Sequence, residues 1–199
     1  MPRKPKYPER EVWMGEGHKL LADRIFKPAG HKLPSKVRYS CGFPGGGSPR
    51  KRFGECWYPA EDSDGWFNVF VSPVEDDAVE VLGVQCHELC HVIVGSDAGH
   101  GPAFRKLALA IGLTGKMTST VASPELKAKL KRIARELGKY PHQKIDLGQR
   151  KKQTTRMLKC ECEFCGYTVR VARTWLEYGA PVCPVHREEM DIVPSGGDD

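Results

Sequence analysis

The stretch between Asp77 and Gly95 constrains the fold most, because Val79, Val81, Leu82, Val84, Leu89, Val92 and Ile93 cover much of a helix circumference. A helix apolar on so many sides is buried in the middle of a domain. Start signals precede it. Ser72-Pro73-Val74-Glu75 has a cap residue, Pro at the first helical position and Glu three after the cap, and Asp76 or Asp77 would cap a later start; Gly95 is a stop. Inside this apolar helix stands His87-Glu88-Leu89-Cys90-His91. Residues four apart share one helix face, about 6 Å apart along the axis, so both imidazoles can meet one tetrahedral ion. Glu88, one residue beyond the first ligand, reaches a water at that ion without being a ligand itself. This is the H-E-x-x-H arrangement, in which zinc lowers the pKa of a water to about 7 and the carboxylate takes the proton as general base. Such a site needs a third protein ligand and an open position. His100, between Gly99 and Gly101 and just before a helix opened by Pro102, is the expected ligand; Asp97 competes for the role and otherwise reads as a helix cap.

A second ligand set lies near the C-terminus. Cys162 and Cys165 form C-x2-C, and after a 17-residue spacer Cys183 and His186 form C-x2-H. Two short ligand-bearing turns with that separation close around one ion, and four protein ligands mark a structural zinc. Tyr167–Val171 reads as a strand and Thr174–Tyr178 as a short helix or turn, which makes a unit of about 30 residues, too small to supply its own core and largely held by its metal. Cys160 is expected outside the site, because C-x2-C is the favoured spacing. Cys41, Cys56, Cys86 and Cys90 read as small buried hydrophobes.

Around the central helix the chain reads as α+β. Val12–Phe26 carries a partial helical stripe closed by Pro28 and Gly30, and Val37–Ser40 alternates as a strand does. Phe53–Trp57 and Trp66–Val71 are short aromatic and β-branched runs on either side of a turn-rich segment, so a small sheet of about three strands, a hairpin or meander, is expected. Pro102–Ile111 reads as a helix ended by Gly112. Another starts at Ser123-Pro124 with Leu126, Leu130, Ile133 and Leu137 along one face, Lys127, Lys129, Lys131, Arg132 and Arg135 on the other, and Gly138 past its end.

The formal net charge of +6 is unevenly distributed. Residues 1–52 carry +9, 53–104 carry −10, 105–159 carry +12 and 160–199 carry −5. Basic segments neutralise phosphates whatever the sequence, so Lys127, Lys131, Arg132 and Arg135 of the helix, with Arg150, Lys151, Lys152 and Arg156 of the segment after it, are the candidate nucleic-acid contacts. The segment sums predict a negative catalytic face kept apart from a positive docking face. The apolar runs are far shorter than the roughly 20 residues that span a bilayer, and no apolar stretch follows the basic N-terminus, so neither a membrane span nor a signal peptide is expected. With no export signal, eight cysteines argue for reduced, metal-binding thiols rather than a disulfide framework.

His87-Glu88-Leu89-Cys90-His91 followed by Gly99-His100-Gly101-Pro102-Ala103-Phe104 resembles the signature of SprT-like metalloproteases, the group that includes Spartan. The resemblance extends from about residue 35 to the C-terminal ligand set and is closest to small bacterial and phage-borne members. It implies a zincin-like core, His87, His91 and His100 as ligands of a catalytic zinc, Glu88 as general base, and a C-terminal zinc ribbon. Cys90 stands where an apolar residue is usual. The implied function is zinc-dependent endopeptidase activity on DNA-associated proteins in the cytoplasm or nucleoid, with a protein substrate and DNA as partners and no membrane. The implied organisation is a metalloprotease domain over 1–140, a basic linker over 141–158, a ribbon over 159–192 and a disordered tail over 193–199. A non-proteolytic nucleic-acid-binding zinc protein, an accessory in transcription or DNA repair, is the alternative. Tyr39, Tyr140 and His142 are candidates for stabilising an oxyanion.

Overall fold

The computed structural model describes residues 5–45, 52–60, 64–149 and 157–193. They form two compact units, Met1–Leu147 and Gly148–Asp199. The fold is mixed α+β with small sheets and several helices. Among the described residues no helix is long and apolar enough to cross a membrane. The candidate contacts Arg150, Lys151, Lys152 and Arg156, and 194–199 of the expected tail, lie outside the described residues.

The first unit is organised around α2 (Ala78–Val94). Of its possible caps the chain uses Asp77, whose side chain accepts from the backbone N–H of Val79 and Glu80, while Ser72 lies in a turn that precedes the helix. Val81, Leu82, Cys86, Leu89 and Cys90 are fully buried, as the apolar pattern requires. α1 (Arg10–Leu21), extended by a π-helical turn over Ala22–Phe26, contributes Trp13, Met14, Leu21 and Phe26 to the same core. The indole N–H of Trp13 donates to the Gly138 carbonyl at 3.1 Å, which ties α1 to the end of α4 (Pro124–Leu137). α4 turns Leu126, Leu130, Ile133 and Leu137 inward, and Ser123 caps it through the Leu126 N–H.

The three-stranded sheet differs from a meander. β1 (Val37–Cys41), β2 (Gly54–Trp57) and β3 (Phe67–Val71) are ordered β1-β3-β2, with β3 parallel to β1 and antiparallel to β2. Burial explains the order. β3 carries the fully buried Val69 and Val71 and takes the centre, whereas β2, with Gly54 and the exposed Trp57, is left on an edge. After α3 (Pro102–Ile111) comes a two-stranded hairpin absent from the sequence reading, β4 (Leu113–Lys116) with β5 (Ser119–Ala122). Residues 141–147 fold onto the first unit rather than acting as linker: the His142 ring donates to the Pro73 carbonyl at 2.8 Å and the Ile145 N–H to the same carbonyl at 2.9 Å.

In the second unit β6 (Leu158–Glu161) lies between β7 (Thr168–Val171) and β8 (Asp191–Val193). Its buried residues are Cys160, Cys162, Cys183 and Met190, with half-buried Val169, Val171 and Leu176 against them. Such a core is too slight to hold a fold by apolar burial alone.

Two substitutions test the first unit. Leu130→Ala is expected to cost about 3 kcal/mol and Asp77→Ala about 1 kcal/mol of unfolding free energy, measured by urea denaturation. A loss below about 1 kcal/mol for Leu130→Ala would contradict its placement in the core.

Candidate metal centres

α2 places His87 and His91 one turn apart on the wall of a cavity of about 620 Å³. The chain then leaves the helix at Gly95, passes through a short 3-10 turn over Ser96–Ala98, and reverses at Gly99, whose φ of 45° and ψ of −131° suit glycine. That reversal brings His100 back over α2. Its Nε2 lies 3.2 Å from Nε2 of His91 and 3.3 Å from Nε2 of His87. Three nitrogens about 2.05 Å from one tetrahedral ion would be about 3.3 Å apart, so the spacing is that of a metal's ligands. Asp97 does not join the group; its carboxylate accepts from the Ser96 hydroxyl. Among the described residues no fourth His, Cys, Asp or Glu completes the set.

The surroundings keep these rings in the form that binds metal. Burial, reinforced by the neighbouring imidazoles, pushes the pKa of His87 down to about 3; burial and then His100 push His91 down to about 4. Burial first, and then the Arg52 guanidinium, lowers His100. Neutral imidazoles offer lone pairs rather than protons. Nδ1 of His87 is hydrogen-bonded to Thr120 Oγ1 of β5 at 2.8 Å while its Nε2 lies 3.3 Å from that of His100, so a metal on Nε2 would leave Nδ1–H to donate to the threonine. Phe104 of α3, fully buried, packs against all three rings, with centroid distances of 4.9, 4.4 and 5.0 Å to His87, His91 and His100.

Glu88 lines the same cavity and is only 5% exposed. Burial is the main cause of a pKa raised to about 8, opposed by the Arg52 guanidinium and reinforced by the Glu55 carboxylate. The tyrosine in the cavity wall is Tyr58, whose hydroxyl donates to the His91 carbonyl at 3.1 Å. The other aromatic candidates lie elsewhere. Tyr39 is buried against His18, Tyr140 is buried edge-on to Trp13, and His142 is bonded to Pro73, so none of them lines the cavity.

The expected separation of charged faces does not hold. Lys127, on the exposed basic side of α4, pairs at 2.7 Å with Glu80 of α2, which lines the cavity, so the two faces meet there. Lys131, Arg132 and Arg135 are exposed on α4.

In the second unit the Sγ atoms of Cys162, Cys165 and Cys183 and Nδ1 of His186 gather within 4.8 Å of one another. Cys165 and Cys183 sulfurs are 3.7 Å apart, far beyond the S–S bond length of about 2.05 Å and close to the roughly 3.8 Å between two thiolates on one zinc. Backbone N–H groups, that of His186 foremost, lower the Cys183 pKa to about 6, which favours the ligating thiolate. Cys160 is buried in β6, paired with Val169 and Ile192, and stands outside the group. Both ligand sets are thus compatible with zinc.

Thr120, Tyr58 and Phe104 are the neighbours of the site that sequence reasoning left without a role. For Thr120 a signal was present: β-branched Thr114, Thr118, Thr120 and Val121 surround a short turn at Met117. Comparison with protein-family models, curated proteins and solved structures finds no match for this chain.

Elemental analysis is expected to give about two zinc ions per chain for the unmodified protein and about one for His100→Ala. One ion in both would contradict the three-imidazole site. Thr120→Val is expected to weaken metal affinity at that site about 10- to 100-fold in a chelator competition, with the cysteine site unaffected.

Proposed function

We propose that this chain is a zinc-dependent endopeptidase of the SprT-like kind, acting on proteins associated with nucleic acid. The observation that carries the reading is the buried Glu88 carboxylate in the wall of the same open cavity that three convergent imidazoles line. A metal with a purely structural role has no use for an ionisable group at an incomplete ligand set, and the four-ligand set of the second unit supplies the contrast.

In this reading His87, His91 and His100 hold the zinc of a zincin-like core, and Cys162, Cys165, Cys183 and His186 hold a structural zinc in a ribbon. Zinc on three imidazoles supplies a Lewis acid that polarises a carbonyl and acidifies water. Glu88 takes the proton of the attacking water and passes it to the leaving amine; the positive charge of a bound cation would offset the burial that raises its pKa, so that the carboxylate is ionised to accept that proton. β2 offers the substrate a backbone edge. The Phe53 carbonyl accepts from the Ser72 N–H, so alternation along the antiparallel ladder turns the backbone groups of Gly54 and Cys56 away from β3 and along the open side. Main-chain pairing of that kind holds an extended peptide with little dependence on its side chains.

The basic face of α4 supports the nucleic-acid half of the proposal, with Lys131, Arg132 and Arg135 as phosphate contacts, Lys127 engaged with Glu80, and Arg150, Lys151, Lys152 and Arg156 continuing the basic run in sequence.

The test is cleavage of a DNA-bound protein by the purified, zinc-loaded chain. Glu88→Gln is expected to lower the rate about 10²- to 10⁴-fold. Affinity for DNA is expected to fall steeply with salt and to weaken when Arg150, Lys151 and Lys152 are neutralised. Identical behaviour of the parent chain and Glu88→Gln overturns the peptidase reading, and salt-dependent binding alone would then leave the non-proteolytic nucleic-acid-binding protein.

A further inference from the structure

Gly54, the first residue of β2, has no conformational reason to be glycine. Its φ is not among the positive values of the chain, and it pairs in regular register with Val71. Space is the reason. A Cβ built at Gly54 would overlap Glu88 Oε1 and would lie 2.6 Å from Val84 Cγ1 and 2.9 Å from Glu88 Cδ, against about 3.5–4.0 Å for an ordinary contact between carbons.

The two backbones cannot separate easily. Val84 and Glu88 are one turn apart on the same face of α2, and α2 is fixed from its other sides by the buried Val81, Leu82, Cys86 and Leu89. Gly54 is fixed by the ladder to β3 and by the bond from the Ser72 N–H to the Phe53 carbonyl at 2.8 Å. The bare backbone of an edge strand therefore lies directly on the carboxylate. This accounts for an acidic side chain that is only 5% exposed in the wall of an open cavity.

We propose that Gly54 is a positioning residue for Glu88: the missing side chain lets β2 close on the carboxylate and hold it in the cavity wall that also carries His87, so that one strand both presents a backbone edge to substrate and seats the general base. The inference rests on the peptidase reading of the site. A side chain at 54 would displace the end of the Glu88 side chain more readily than the backbone of α2, which carries His87 and His91.

The zinc-loaded full chain tests this in two ways. Gly54→Ala is expected to lower kcat about 10²-fold, with KM and zinc content unchanged, as displacement of a reacting group by about 1 Å does. Unchanged kcat in a folded Gly54→Ala protein overturns the proposal. The second test needs no activity and applies even if Gly54→Ala alone fails to fold. It is a thermal-unfolding cycle of Gly54→Ala against Glu88→Ala, run in a Val84→Ala background that removes the other overlap. The fall in Tm caused by Gly54→Ala is expected to be largely abolished once the Glu88 side chain is truncated. An equal fall in both backgrounds overturns the contact. If the parent chain cleaves nothing, the peptidase reading fails, and the cycle still decides whether Gly54 seats Glu88.

Discussion

Three imidazole nitrogens within 4.8 Å of one another, with Nε2 of His100 3.2 Å from that of His91 and 3.3 Å from that of His87, form an arrangement that a protein does not reach by default. The rings gain little from one another, and protonation of any of them is opposed by burial and by its neighbours. The first unit supplies what keeps them there. α2 provides two rings because its rise and turn put residues four apart on one face, and it is rigid because apolar side chains hold it on most sides. Gly99 provides the third by reversing the chain. Thr120 is hydrogen-bonded to Nδ1 of the first ring, and Phe104 packs against all three. Together these features are compatible with a cation held among the three rings.

The two ligand sets differ in a way that matches different tasks. The set in the second unit has four donors, of which three are cysteines, and sits in a unit whose own apolar core is small. There a metal would stand in for a core. The set in the first unit has three donors and a large core elsewhere, so its fold does not need the ion. A buried carboxylate and a strand edge line the same cavity, which is what the proposed peptidase reading uses.

Much of this was legible in the sequence, for identifiable reasons. The helix of His87 and His91, its stop at Gly95, the Pro102 start, the Ser123 cap and the buried stripe of α4 follow from local signals that tertiary context did not override. His100 was legible because flanking glycines mark a reversal. Strand order was not, since the parallel partnership of β1 with β3 depends on which strand can be buried on both sides, a property of the assembled sheet. The β4–β5 hairpin escaped because its strands are short and polar, and with it went Thr120. The close approach of Gly54 to Glu88 joins residues on different elements and has no local signature. Segment charges misled about the basic helix, because Lys127 and Glu80 belong to oppositely charged segments and meet in space.

The central claim is that His87, His91 and His100 enclose a metal. A crystal structure of the zinc-loaded protein with anomalous data on both sides of the zinc absorption edge addresses it directly. The account predicts one anomalous peak about 2.0–2.1 Å from the Nε2 atoms of all three histidines, separate from a second peak at Cys162, Cys165, Cys183 and His186. Density at the cysteine site with none among the three imidazoles would contradict it.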